Sequence, residues 1–168
     1  RKEGNTPAWG AVYEQYFQEI DKVKGQKGVL SVEKKLFVET NNGTNRQIRP
    51  ITPEQPLRIG DKVIVRLTIR TDREMNYVFL KDLRAGCFEP ADQLSGPESR
   101  DGIWYYRSPK DVSENFFINR LPEGTFVLEY PVYVSRSGEY AGGISTIQCM
   151  YAPEFVSHTA GESLRIMP

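Results

Sequence analysis

The run KVIVRLTIR at 62–70 sets Val63, Val65, Leu67 and Ile69 on one parity and Ile64, Arg66, Thr68 and Arg70 on the other. In an extended chain successive side chains point to opposite faces, so this pattern fits a strand with one face on a core and the other largely wet. TFVLEYPVYV (125–134) repeats it, with Phe126, Leu128, Tyr130, Val132 and Val134 on one side. Pro131 falls on the opposite parity. It cannot donate to a ladder, so this strand is expected at a sheet edge or with a bulge.

Weaker strand signals lie at 29–39, 76–83, 103–106, 115–121, 144–151 and 163–166. Turn residues divide them: Asn42-Gly43, Gly60-Asp61, Asp101-Gly102, Pro122-Glu123-Gly124 and Ser137-Gly138. Many short strands between such signals predict a mainly β, antiparallel sandwich of the immunoglobulin-like kind. PADQLSGPESRDG (90–102) reads as a long polar connection. The first 25 residues stand apart. In AWGAVYEQYFQEIDKV, Trp9, Val12, Tyr13, Tyr16, Phe17 and Ile20 fit helical spacing, while Trp9, Ala11, Tyr13 and Phe17 fit alternation. Periodicity alone leaves both open. DKVKGQKG (21–28) reads as a linker into the main domain.

The length of 168 residues suits one domain with a proper core and room for a fragment of a neighbour. Lysine plus arginine number 22, as do aspartate plus glutamate. The zero balance gives no electrostatic reason to expect nucleic acid or an anionic membrane as partner. No apolar run approaches the roughly 20 residues that span a bilayer. The start has no basic-then-apolar leader, so no signal peptide is expected there. A beginning of RKEGNTPAWG, without methionine, suggests a processed chain or a piece of a longer one.

The richest stretch for chemistry is IQCMYAPEFVSHTAGE (147–162), which holds Cys149, Glu154, Glu162 and His158, the single histidine. His158 and Glu162 are four apart, a spacing that would align them on a helix, but Gly161 lies between them and Pro153 separates them from Cys149. A metal site needs ligands that converge, and a cysteine–histidine nucleophilic pair needs spatial adjacency, for which the sequence has no local signature. A polar loop with a small buried thiol is the expectation here. Cys87 and Cys149 both fall at or near strands, which leaves a disulfide and two buried free thiols equally open. Trp104, Tyr105 and Tyr106 suggest a sugar-stacking platform, but neighbouring strand residues face opposite ways. Core packing plus a surface tyrosine is expected instead. Asn42-Gly43-Thr44 fits both a glycosylation acceptor and a hairpin turn, and the turn is the expectation. Phosphate-binding glycine loops, GxSxG elbows and framed carboxylate pairs are absent, so neither an enzyme nor a cofactor is expected.

Three long phrases go further: GDKVIVRLTIRTDREMNYVFLKDLRAGCFEP (60–90), GIWYYRSPKDVSENFFINRLPEGTFVLEY (102–130) and GGISTIQCMYAPEFVSHTAGESLRI (142–166). In this order they closely resemble the C-terminal macroglobulin-like domain of bacterial α2-macroglobulins. AWGAVYEQYFQEIDKV resembles the segment just before that domain. The resemblance implies a module of a large trap-type peptidase inhibitor, equivalent to the receptor-binding domain of the animal proteins. It implies an envelope protein facing the periplasm, often lipid-anchored. The implied partners are upstream domains of the same chain, above all a thioester-type helical domain, and target peptidases reached through the full-length protein. Many members carry a CxEQ thioester signature. Cys87 is followed by Phe-Glu-Pro and Cys149 by Met-Tyr-Ala, so neither matches it. Residues 1–25 then complete the preceding domain as its final strand, and 26–168 form the C-terminal domain. The stretch from 147 aligns with a late strand and its loop, a structural role. The rival expectation is a free-standing adhesion or carbohydrate-binding sandwich, for which the Trp104–Tyr106 cluster is the best feature.

Overall fold

The computed structural model describes residues 7, 9–42, 45–52 and 55–168. Its strands in chain order are β1 (Leu30–Asn42), β2 (Asn45–Pro50), β3 (Leu57–Arg58), β4 (Lys62–Thr71), β5 (Met75–Leu83), β6 (Phe88–Pro90) and β7 (Gly96–Arg100). There follow β8 (Ile103–Pro109), β9 (Ser113–Leu121), β10 (Gly124–Val134), β11 (Gly138–Gly142), β12 (Ser145–Cys149), β13 (Val156–His158) and β14 (Glu162–Met167). One sheet has the order β2-β1-β4-β10-β6 and a second β13-β12-β5-β9-β8-β7. A small third sheet, β11-β14-β3, contains a parallel contact between β14 and β3. The fold is the expected all-β sandwich of antiparallel sheets. Val63, Val65, Leu67 and Ile69 of β4 and Leu128, Tyr130 and Val132 of β10 are its buried centre. Their alternation is what a sheet with one apolar face requires.

Several local expectations are borne out or corrected. Pro131 pairs with Ile64 of β4, while on its other side β10 meets β6 only at Val132–Val134. The proline therefore lies where β10 passes from the β6 ladder to an open edge: the Ala91 amide donates to its carbonyl at 3.3 Å, and its missing N–H is not called on. That edge is partly capped: the Val127 amide donates to Asp101 Oδ2 at 3.0 Å. Asp101 and Gly102 both take positive φ, 51° and 81°, forming the expected tight turn between β7 and β8. The polar connection 90–102 is not featureless, since β7 forms within it and pairs with β8. Ile64, assigned by parity to the wet face, is buried. In the aromatic triplet Tyr105 takes the core, whereas Trp104 and Tyr106 both face out, so the indole is a surface group and not core packing. Gly43 and Thr44 of the Asn42-Gly43-Thr44 turn lie outside the described residues.

A polar cluster joins the two large sheets. Asp82 of β5 is fully buried, and Lys34 of β1 reaches its Oδ1 from the opposite sheet at 2.7 Å. The same ammonium donates to the carbonyls of Leu83 (2.9 Å) and Gly143 (3.1 Å). Ser145 Oγ donates to Asp82 Oδ1 at 2.7 Å, and the Tyr130 hydroxyl donates to Oδ2. Directly opposite Asp82 in the β5–β9 register stands Glu114, also fully buried. Arg107 Nε donates to it at 2.7 Å and Arg84 Nη2 at 3.3 Å. Burial raises the Glu114 carboxyl above its usual range, against the pull of the two guanidinium groups. Each charge here has a partner, the condition under which an interior tolerates it.

Residues 9–19 carry neither helix nor ladder pairing, and Trp9, Val12, Tyr13, Tyr16 and Phe17 project into solvent. The stretch after them is clamped to the sandwich. A single 3₁₀ turn, Ile20–Lys22, packs on β11 and β14, and Gln26 exchanges backbone hydrogen bonds with His158 at 2.9 and 3.1 Å. Gly161 donates to the Val23 carbonyl at 2.8 Å, and Ser163 Oγ to Asp21 at 3.1 Å. The fit depends on two glycines. A Cβ on Gly25 would lie 3.0 Å from the Ala160 nitrogen, and one on Gly161 would overlap the Ile20 carbonyl oxygen. Gly161→Ala is therefore expected to cost about 1–3 kcal/mol, the range for overpacking a tight contact. Hydrogen exchange should place the loss at residues 20–26, with the β4 and β9 amides still protected. Unchanged protection at 20–26 would contradict the clamp.

Candidate contact site at the Tyr77 kink

The β5–β9 pairing has one gap. Asn76 pairs with Arg120 and Val78 with Ile118, but Tyr77 and Asn119 are not paired. The register is the same on both sides of the gap, so no residue is inserted; the strands kink together. Tyr77 has φ 55°, the left-handed region that bulky side chains avoid at a cost of about 1–3 kcal/mol. The kink shifts which positions face inward: Met75 and Val78 are buried, three apart, as are Ile118 and Leu121. Its other result is to turn the Tyr77 side chain outward.

There it meets the 149–155 loop. The strand predicted over 144–151 ends at Cys149, and Pro153 keeps the next residues out of a ladder. The loop closes through Cys149 N donating to Phe155 O at 3.0 Å and Phe155 N to Ala152 O at 3.0 Å. Met150 N donates to the Tyr77 carbonyl at 2.9 Å, which ties the loop to the kink. The Tyr77 and Tyr151 rings pack edge to face, 5.1 Å between centroids and 84° between planes. Tyr151 is 79% exposed, Met150 53% and Tyr77 51%. Beside them runs a groove of about 380 Å³ floored by Phe155, over whose ring the Arg73 guanidinium lies at 5.8 Å. A strained backbone that presents a fixed, solvated aromatic pair has the makings of a docking anchor.

The residues singled out for chemistry are dispersed. His158 is in β13 with Nδ1 3.1 Å from the Thr159 carbonyl, while Glu154 and Glu162 are exposed on the loop and on β14. Among the described residues no group of three or more His, Cys, Asp and Glu side chains is placed to hold a metal ion. Cys87 and Cys149 are both buried free thiols. Cys149 lies opposite Val78 near the start of β5 and donates to the Asn76 carbonyl at 3.2 Å, whereas Cys87 follows the far end of that strand. Burial pushes the Cys87 thiol up to about 11. A thiol held protonated is a poor nucleophile, so Cys87 should resist a disulfide reagent at pH 8 in the native chain and react once guanidinium unfolds it. Reaction of native Cys87 within seconds would contradict its burial. Its contribution to stability is intact below about pH 8.5, the usual thiol value. It falls as pH climbs toward the folded value of about 11.

The Bacterial Alpha-2-macroglobulin MG10 domain family matches residues 30–154. This chain belongs to that family. The match spans β1 to the Met150–Tyr151 loop, so it contains both halves of the contact site. Solved structures with the same fold include Salmonella alpha-2-macroglobulin reacted with methylamine, with TM-score 0.67 and 21% identity over 86% of this chain and 10% of that one. Escherichia coli alpha-2-macroglobulin activated by porcine elastase matches with TM-score 0.67 and 18% identity, over 86% of this chain and 14% of that one. A curated relative, circularly permutated Ras protein 2 of Dictyostelium discoideum, is 28% identical over 109 residues, 65% of this chain. The MG10 chain spans only 3% of that protein's length.

Proposed function

We propose that this MG10 domain is the C-terminal structural and interdomain-contact module of a trap-type endopeptidase inhibitor in the periplasm or cell envelope. Its role is to hold an upstream domain of the same protein before a target peptidase cuts, and to move with the rearrangement that follows. The family match over 30–154 carries this reading. The exposed Tyr77–Tyr151 pair supports it, because aromatic anchors on a rigid frame dominate protein interfaces. Residues 1–25 are the tail of the preceding domain on this reading, and the exposed Trp9, Tyr13 and Phe17 are covered there. A two-state role requires contacts that differ before and after cleavage.

The test has two parts. The isolated chain should leave trypsin and elastase fully active at micromolar concentration, because trapping needs the rest of the protein. In the full-length protein, Tyr151→Ala should weaken the hold on the upstream part, seen as faster proteolysis at the junction before any target peptidase is added. Inhibition by the isolated chain, or junction proteolysis indifferent to Tyr151, would overturn the reading.

A further inference from the structure

We propose that the fork between β8 and β9 is a binding cleft for a neutral oligosaccharide, a site independent of the contact surface at Tyr77. The fork is built by ladders that end at different places. β8 stays paired with β7 from Ile103 to Arg107, and β9 stays paired with β5 out to Leu121. The ladder between β8 and β9 stops at Tyr106–Phe117. Beyond it the strands part, at the level where Asn119 leaves its own pairing across from the Tyr77 kink. The opening encloses about 470 Å³, within the roughly 300–1,000 Å³ of small-ligand sites.

Its lining gives the ligand class. Trp104 is 70% exposed, and Tyr106 and Phe117 are half-exposed on the same outer face. Phe117 stacks on Phe79 with 4.9 Å between centroids, which fixes that wall before anything binds. Trp104 and Tyr106 are two residues apart on one strand, about 7 Å along it, so a linear ligand can lie across both rings. The Asn119 side chain is exposed and lines the same cleft, which places its amide within reach of a ligand there. Arg120 also lines it, but its charge is matched by Glu74 at 2.8 and 3.0 Å. The cleft thus offers aromatic faces, amide and indole donors, a phenol hydroxyl, and no unbalanced charge. Phosphates and carboxylates gain nothing there. A pyranose has an apolar face for the rings and equatorial hydroxyls for the donors at their edges, and it carries no charge. The fork fits it.

Trp104 is one of two tryptophans, so Trp9→Phe leaves it as the sole indole reporter. Chitohexaose, cellohexaose and maltohexaose titrated into this 168-residue chain should include at least one that shifts the Trp104 emission saturably. Amide chemical shifts should move at 102–106 and 117–120 and not at 149–155. Asn119→Ala should weaken binding about tenfold or more, the effect of leaving a polar contact unpaired. Tyr106→Ala should do the same, and Trp104→Ala, read by the amide shifts, should abolish it. Tyr133→Ala, an exposed tyrosine on β10, should leave it unchanged. The proposal fails if none of the three sugars gives a saturable change, or if binding survives Trp104→Ala. It also fails if a proline-rich peptide binds the cleft more tightly than every sugar tested.

Discussion

Replacing Asp82 with alanine lowers the unfolding free energy by about 3–5 kcal/mol, the usual effect of breaking a buried ion pair from one side. The carboxylate is wholly inside the sandwich and receives Lys34, Ser145 and Tyr130 together. Its loss leaves the Lys34 ammonium in the interior without a counter-charge and two hydroxyl groups without an acceptor. Urea unfolding at pH 7 should show a lower midpoint with an unchanged slope. Lys34→Met is expected to destabilise in the same way, since it strips Asp82 of its cation. The double variant Lys34→Met/Asp82→Ala should lose less than the sum of the two. Contacting groups typically couple by about 0.5–3 kcal/mol. A cost under about 1 kcal/mol for Asp82→Ala would mean that the sheets are not joined at this point.

Arg107→Met comes next in size, about 3 kcal/mol or more at pH 7, because it removes the closest cation from a buried carboxylate. Arg107 Nε donates to Glu114 at 2.7 Å, and its other contacts, to Asp92 and Glu98, are looser at 3.5 Å. The pH dependence identifies the cause. Burial already raises the Glu114 carboxyl, and Arg107 is the largest influence opposing that rise. Removing Arg107 raises it further. An acid with a raised folded pKa binds its proton more tightly in the folded state, so stability falls as pH rises from the unfolded value of about 4.3 through the folded one. The deficit of Arg107→Met should therefore shrink as pH is lowered from 7 toward 5. Glu114→Gln, added to Arg107→Met, should flatten that slope. A deficit of equal size at both pH values would place the effect in lost packing on the Tyr130 ring, 5.9 Å from the guanidinium.

Both effects arise from residues that carry a signal in the sequence itself. Lys34 shares parity with Val32, Asp82 with Leu80, Arg107 with Tyr105 and Glu114 with Phe116, all buried apolar neighbours. A charge on the apolar parity of a strand marks a partner across the core. Which partner it meets depends on strand order, which alternation does not encode. The long strands β4 and β10 were legible because one face of each is uniformly apolar. The short strands β2, β3, β6 and β13 were not, because their pairing rests on neighbours and not on their own pattern. The Asp101-Gly102 turn was legible because few residues take positive φ easily. Tyr77 was not, since nothing in the order of residues announces a tyrosine in that region. In the Trp104–Tyr106 triplet the period of two holds, but it does not say which member turns inward: Tyr105 does, and the indole stays on the surface.

The clamp at residues 20–26 gives the domain a mechanical property. A slack tether would let the sandwich trail behind whatever precedes it. Here the entering chain is bolted to β11, β13 and β14, so chain entry and the last strand form one joint. A rotation applied upstream of Ile20 is delivered to the sheets as torque, and the whole sandwich swings with it. On the role proposed above, the pivot lies before residue 20, in the segment whose aromatic side chains are exposed.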